Sequence, residues 1–349
     1  MTGPGRARRT FVAGIAVGLV LVRRRPAAGQ SPGPPSAAPA PTAVPAPGSS
    51  RVWRIGYLTP SAVSPRGIMP DMRQKLRELG YVEGRDLKFE IRSANEDFER
   101  LPDLAADLVR SGVDLIVAVS SPAIRAAENA TTSIPIVMVS GTDPVAGLFV
   151  ASLAHPEGNV TGVTTYVPEL AAKRLDALRE CLPGLKRVAV LANLRNPSSA
   201  AEVKEIDTAA RAITVETYVS DARLPEQYPV AFETIARGGW QALVVTADPV
   251  LSSNRERILQ LAARHRLPTI YEWREIVEAG GLMSYGPSLA DVNGRVAVYV
   301  DKILKGANPG SLPVERPTKF ELALNLKTAA SLGLKLPAAM VARAERVVR

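Results

Sequence analysis

Residues 101–122 of this chain read LPDLAADLVRSGVDLIVAVSSP. The first half repeats apolar residues at helical spacing, so a helix from Leu101 to Val109 would carry one apolar face. The second half, from Val113 to Val119, is a continuous apolar and β-branched run that predicts a buried strand. Ser121-Pro122 then supplies the cap and the first-turn proline typical of a new helix. A helix, a buried strand and another helix in direct succession indicate a parallel α/β sheet.

The same alternation repeats along the chain and predicts two doubly wound, Rossmann-like α/β lobes. A later helix, over Val292–Ile303, again has its apolar residues on one face. Strands that alternate with such helices form parallel βαβ units with right-handed crossovers. The predicted strands are Val52–Leu58, Leu87–Ile91, Val113–Val119, Ile134–Val139, Val160–Val163, Arg187–Leu191, Thr214–Val219, Ala242–Thr246 and Thr269–Tyr271.

Turn-rich segments divide the folded part of the chain. The 349 residues are enough for two cores of ordinary size. Proline and glycine interrupt the pattern at 155–159, 280–287 and 309–317, and these segments predict three crossings between the lobes. The predicted lobes are 51–158 plus 288–310 for the first, and 159–287 plus 311–349 for the second.

The first fifty residues have the composition of an export signal followed by a linker. An apolar run from Phe11 to Val22 lies between two groups of arginines, and residues 1–29 are predicted to be a secretory signal. Eight prolines fall within residues 26–50, so 30–50 is predicted to be an extended linker. The arginines Arg23–Arg25 oppose translocation, and an uncleaved N-terminal anchor is the alternative.

Charge and composition exclude several classes of function. The net charge of +9 comes largely from six arginines in residues 1–50, and the rest of the chain carries only +3. This small excess, without basic blocks interleaved with aromatics, argues against nucleic-acid binding. One cysteine and two histidines provide no metal-site spacing. Dinucleotide, phosphate-loop and nucleophile-elbow motifs are missing from the sequence, so neither a cofactor nor catalytic residues are predicted.

Helix-start signals recur where predicted strands end. Each pairs Ser, Asp or Asn with proline, which is a favourable cap followed by a favourable first residue. Such starts line the crevice at the carboxyl ends of parallel strands, where ligands bind and where free N–H groups favour anions. The five pairs are Ser64-Pro65, Ser121-Pro122, Asp143-Pro144, Asn196-Pro197 and Asp248-Pro249.

Stretches that match a known family occur in order along nearly the whole folded part, at 76–85, 131–137, 143–145, 156–162, 278–286, 299–307, 312–315 and 317–322. They resemble the substrate-binding proteins of ABC transporters, which have a type I periplasmic binding fold. The resemblance implies binding of a small solute, in some relatives an aromatic amino acid, and delivery to membrane permease subunits served by a separate ATPase. Together with the export signal, this predicts a periplasmic or extracytoplasmic monomer. The loop Thr59–Arg66 departs from the family pattern through Arg66 and two prolines.

An amino-acid-like zwitterion would require complementary groups in the crevice. Its carboxylate would bind at Ser120 and Ser121, with Thr142, through hydroxyls and backbone N–H groups. Its ammonium would bind at Asp248, for which helix capping is the alternative role.

Aromatic and further polar residues complete the predicted site. Tyr57, Tyr271, Trp273 and Tyr285 are candidates for an aromatic wall, with packing at the hinge as the alternative for Trp273 and Tyr285. Two other functions stay open at this point, a periplasmic sensor that presents its ligand to a receptor and a cryptic α/β enzyme. The remaining polar candidates are Thr59, Asp143 and Asn193.

Overall fold

A computed structural model describes residues 51–62 and 68–349, and the predicted signal, the linker and Ser64-Pro65 with Arg66 lie outside them. The first sheet is five-stranded and entirely parallel, in the order β2-β1-β3-β4-β5. Its strands are β1 Trp53–Thr59, β2 Leu87–Ser93, β3 Leu115–Val119, β4 Ile136–Ser140 and β5 Val160–Thr164.

Helices cover both faces of this first sheet, and sheet and helices together form the first lobe. Side chains alternate along each strand, so Val117 packs with one helical layer and Ile116 with the other. The late helix α10 packs against α1, which shows that the chain returns to this lobe after leaving it. The helices of this lobe are α1 Ile68–Glu78, α2 Leu101–Arg110, α3 Ser121–Ala130 and α10 Leu289–Leu304.

The second sheet has seven strands in the order β12-β11-β10-β9-β8-β6-β7, and with its helices it forms the second lobe. All its neighbouring pairs are parallel except β10 with β11. Its strands are β6 Arg187–Ala192, β7 Glu216–Asp221, β8 Ala242–Val245, β9 Thr269–Tyr271, β10 Met283–Pro287, β11 Phe320–Asn325 and β12 Arg346–Val348. Its helices are α4 Glu169–Cys181, α5 Pro197–Ala212, α6 Tyr228–Arg237, α7 Pro249–Ser253, α8 Arg255–Arg264, α9 Arg274–Glu278, α11 Leu326–Leu332 and α12 Ala338–Ala342.

Two predicted boundaries are wrong. The first lobe was predicted to end at residue 158, but β5 pairs with β4 and so extends the first sheet to Thr164. Glu315, predicted to lie in the second lobe, donates its N–H to Gly162 O at 3.0 Å and runs beside β5. We propose 51–165 plus 288–315 as the first lobe, and 166–287 plus 316–349 as the second.

The segment Gly280–Pro287, predicted to be a crossing, contains strand β10 instead. Gly286 suggested a turn, but a Cβ at this position would lie 2.3 Å from the carbonyl oxygen of Glu272. The glycine is therefore required by the close approach of a neighbouring segment, and the strand passes through it. The chain passes between the two sheets three times, but not within the predicted segments 155–159 and 280–287: the crossings lie after β5, between β10 and α10, and between Glu315 and β11.

Candidate functional site

A cavity of about 180 Å³ lies between the two lobes. It is located where strands of both sheets end at their carboxyl edges, which is the position expected for a ligand in parallel α/β folds. The first lobe contributes Ser120 after β3 and Gly141 after β4. The second lobe contributes Asp248 after β8 and Glu272 after β9.

Ser120 is the strained polar group of the first-lobe wall. Its φ of 80° lies in the region that favours glycine, and such strain is concentrated at functional sites. The side chain is 5% exposed, and its Oγ has no hydrogen-bond partner among the described residues. Ser120 precedes α3 without using its hydroxyl as a cap, so this oxygen and the first-turn N–H groups are available to an anion.

Asp248 lines the second-lobe wall but acts as the cap of α7. Its Oδ1 accepts the N–H groups of Val250 at 2.8 Å and Leu251 at 3.0 Å. Its Oδ2 accepts the side-chain amides of Asn196 at 2.8 Å and Asn193 at 3.3 Å. A carboxylate offers about four acceptor sites, and here each is occupied. The alternative role of Asp248 as a helix cap is therefore present, and its four acceptor sites are used within the lobe.

Glu272 follows the neighbouring strand, and fewer hydrogen-bond donors reach its carboxylate. The residue is 4% exposed, and its Oε2 accepts no hydrogen bond from any described residue. Its Oε1 lies 3.7 Å from Nη2 of Arg174, a loose contact for an ion pair. Burial raises the pKa of the Glu272 carboxyl; Arg174 opposes this shift and Glu202 adds to it.

Arg174 connects Glu272 to a second acid behind the cavity wall. Its Nη1 pairs with Glu202, and its Nε donates to the carbonyl of Tyr285 at 2.9 Å. Glu202 also accepts the N–H of Ala247 at 2.7 Å. One buried guanidinium thus serves two buried carboxylates.

Among the described residues, the rest of the lining is mostly apolar and includes one cation. Arg255 lines the cavity and makes no ion pair within the described ranges, although its Nη1 donates to Ser252 O at 3.3 Å. A ligand with an apolar body and polar ends would match this surface. The apolar and aromatic lining residues are Tyr57, Met69, Val119, Val139, Trp273, Ile276, Leu289 and Val292.

The two lobes touch directly beside the cavity. Ser121 Oγ lies 3.0 Å from Ser198 Oγ, and Asn254 donates to Glu96 at 2.6 Å. A Cβ added to Gly141 would lie 3.1 Å from the Ser198 side chain, so the glycine permits this close approach. The structure is therefore a closed arrangement of the lobes.

Several predicted site residues lie beside the cavity instead of lining it. Ser121, Thr142 and Asp143 face a neighbouring groove between the lobes. The Ser121 hydroxyl lies 3.0 Å from that of Thr142, and Asp143 caps a turn through Val145 N at 2.9 Å instead of starting a helix. Their hydroxyl and carboxylate groups are used within the protein.

The remaining predicted residues divide between the core and the cavity. Asn193 supports Asp248, while Tyr271 and Tyr285 pack into the two apolar layers of the second lobe. Thr59, Ser120, Asp248 and Trp273 line the cavity. Their contact with a ligand stays a prediction.

Glu272, Arg255 and Ser198 were missed by the sequence analysis. Glu272 carried a usable signal, because it directly follows the predicted strand Thr269–Tyr271 at the same edge as Asp248. Ser198 follows the helix start Asn196-Pro197, whereas Arg255 follows no strand and carried no signal.

Within the described residues, no cluster of acidic, histidine or cysteine side chains is arranged to hold a metal ion. No helix in the same part of the chain is long and apolar enough to cross a membrane.

Comparison with known families decides how this cavity is interpreted. Residues 66–348 match the family described as ABC transporter substrate binding protein. The chain belongs to this family. The fold is that of type I periplasmic binding proteins, as predicted from the sequence resemblance.

Individual relatives agree with this assignment. The "Tyrosine-binding protein" of Clostridioides difficile strain R20291 is 26% identical over 260 residues, which cover 74% of each chain. The "ABC domain" of Streptococcus pneumoniae in complex with L-Trp has a TM-score of 0.78 at 24% identity, and covers 85% of this chain and 100% of its own. A conserved domain protein of Vibrio cholerae also has a TM-score of 0.78, at 26% identity, and covers 84% of this chain and 99% of its own.

Proposed function

We propose that this substrate-binding protein captures an amino-acid-like solute between its lobes and presents it to an ABC importer. The observation that carries the proposal is the cavity itself: each lobe contributes a buried polar atom that has no partner among the described residues, Ser120 Oγ and Glu272 Oε2. Buried polar atoms are costly without hydrogen bonds, so a solute that pairs with both would stabilise the closed form.

The proposed solute is an amino acid with an apolar or aromatic side chain. A relative at 26% identity is named for binding tyrosine, and the cavity of this chain has a largely apolar lining with Tyr57 and Trp273. The solute carboxylate would bind at Ser120 and the first turn of α3, with Arg255 supplying the balancing charge.

Binding is proposed to operate by closure about the three crossings. The cavity is lined from both lobes, and hydrogen bonds such as Ser121 to Ser198 join the lobes beside it. A solute that contacts both walls favours the closed form, because it makes fewer contacts with an open one.

The remaining expectations are proposed with this function. The protein would be exported as a monomer, free or tethered by its N-terminal segment, and would bind and release its solute without chemical change. Its partners would be membrane permease subunits and a separate ATPase.

Mass spectrometry of small molecules released from natively purified protein tests this function. The expected result is one amino acid at near-equimolar ratio, which then raises the melting temperature of protein stripped of ligand. If no solute is released, and no amino acid in a full panel shifts the melting temperature, the proposal fails.

A further inference from the structure

We infer that Glu272 recognises a cationic nitrogen of the solute and that Arg174 holds its carboxylate in position. This inference rests on the proposed solute-binding function and assigns a specificity-determining residue to it.

The position of Glu272 supports a direct contact with solute. It follows β9 at the carboxyl edge of the second sheet, lines the cavity and is 4% exposed. A buried carboxylate needs several donors, yet Oε2 has none among the described residues. An ammonium group supplies a charge and up to three donors, which is what this oxygen lacks.

The net charge of the residues behind Glu272 favours the binding of a cation beside it. Arg174 pairs closely with Glu202 and lies 3.7 Å from Glu272, so one guanidinium serves two carboxylates. With both acids ionised, this buried group carries one excess negative charge. Asp248 has the same sheet-edge position, but its four donors leave it no free acceptor site.

The groups that face Glu272 from neighbouring elements are mostly acidic. Glu275 on α9 lines the same cavity, and Arg255 on α8 is the basic residue among the described lining residues. A smaller space on the other side of Glu272 is lined by Arg174, Glu202, Glu205 and Tyr166. The balance of these charges favours either a proton on Glu272 or a bound cation beside it.

Proton release is the expected signature of cation binding at this residue. Burial raises the pKa of the Glu272 carboxyl, so the empty protein holds a proton there at a higher pH than an exposed glutamate would. A bound ammonium favours the carboxylate and expels the proton, so solute uptake is accompanied by proton release.

Close packing keeps Glu272 in this geometry. A Cβ at position 286 on β10 would lie 2.8 Å from Cγ of Glu272. The Glu272 side chain therefore fits here only because residue 286 is a glycine. The Nε of Arg174 is held by the carbonyl of Tyr285 on the same strand, which fixes the guanidinium beside Glu272.

Calorimetric titration tests the inference with L-tyrosine and its desamino analogue, 3-(4-hydroxyphenyl)propionate. The wild type should bind the analogue roughly 30-fold or more weakly. Glu272→Gln should lose this discrimination and the proton release measured in buffers of different ionisation enthalpy. Glu278→Gln, the matched control on the exposed face of α9 outside the cavity, should retain both. Equal binding of the two compounds by the wild type, or unchanged discrimination in Glu272→Gln, would overturn the inference.

A second measurement separates this inference from the proposed function. If neither compound binds, tyrosine is excluded as the solute, and the melting temperature of ligand-free Glu272→Gln decides the role of Glu272. A carboxyl whose pKa is raised by burial lowers the stability of the folded protein as pH rises from the ordinary pKa of glutamate to the raised one. Glu272→Gln should therefore be more stable than the wild type at pH 8.5, with the difference shrinking towards pH 5. Equal melting temperatures at both pH values would contradict an unsatisfied carboxylate.

Arg174→Lys tests the positioning role. Lysine cannot pair with both acids in the forked geometry of arginine, so the pKa of Glu272 should rise and the pH midpoint of solute binding should move upward. A fall in melting temperature with no change in that midpoint would mean that Arg174 is only structural.

Discussion

Asp248 and Glu272 follow neighbouring parallel strands of the second sheet, line the same cavity and are almost completely buried. They differ in the number of hydrogen-bond donors that reach their carboxylates. Four hydrogen bonds from within the lobe reach Asp248, whereas one oxygen of Glu272 has no partner among the described residues. Two carboxylates at one sheet edge can thus have different roles, one holding the fold and the other available to solute. Position at the sheet edge identifies carboxylates that could contact a solute, and the number of hydrogen-bond donors around each one distinguishes the two roles.

Removal of the saturated carboxylate should give the largest effect. Asp248→Ala would delete the cap of α7 and leave the buried amides of Asn193 and Asn196 unpaired. We expect a loss of about 3 kcal/mol in the free energy of unfolding, measured by denaturant titration. A variant of unchanged stability that lost affinity for amines would reverse the roles of the two carboxylates.

The pH dependence of binding should be the next largest effect. Burial raises the pKa of Glu272, and below this raised pKa an incoming cation must displace a proton from the carboxyl. The affinity for an amine-bearing solute should therefore fall as pH is lowered, by up to about tenfold per pH unit. Asp248→Asn should keep this slope and Glu272→Gln should abolish it. A flat profile in the wild type would contradict the assignment.

A smaller effect is expected where the lobes touch. Gly141→Ala would place a Cβ 3.1 Å from Ser198, and should disfavour the closed form by about 1 kcal/mol, or roughly fivefold in affinity. Gly294→Ala on α10 is the control, because a Cβ there meets nothing within 4 Å. Equal affinities of the two variants would argue that closure does not limit binding.

The smallest effect is expected for the exposed pair between Arg195 and Glu99, which also joins the lobes. Exposed ion pairs contribute less than about 1 kcal/mol and are screened by salt. Arg195→Ala should therefore change solute affinity by less than about fivefold, and by less still at high salt. A tenfold loss that persisted in salt would show that this pair, and not the cavity, controls closure.

The fold could be predicted well because the sequence signals for strands and helix caps lie within a few consecutive residues. The apolar run 113–119 contains the buried strand Leu115–Val119, and the caps Asn196 and Asp248 act within three residues of their own positions. β10 was missed because the close approach that requires Gly286 comes from Glu272, which follows another strand.

The site was harder to predict, for the same reason. Whether a carboxylate is saturated depends on residues distant in sequence. Glu272 meets Arg174 and Glu202 only after α4, α5 and β9 have packed together. Asp248 is saturated partly by amides more than fifty residues earlier in the chain. Strand-end position can therefore be predicted from sequence, but the number of donors around each group cannot.

Closure driven by a solute that reaches Glu272 is the central claim, and one distance tests it most directly. Spin labels at cysteines replacing the exposed residues Asp103 and Leu224, one on each lobe, would report the separation by double electron–electron resonance; Cys181 is buried and would not react. We predict a shorter distance when the co-purified solute is restored to stripped protein, with no shortening in Glu272→Gln at the same concentration. A distribution that is unchanged by solute, or that shortens equally in Glu272→Gln, would contradict the account.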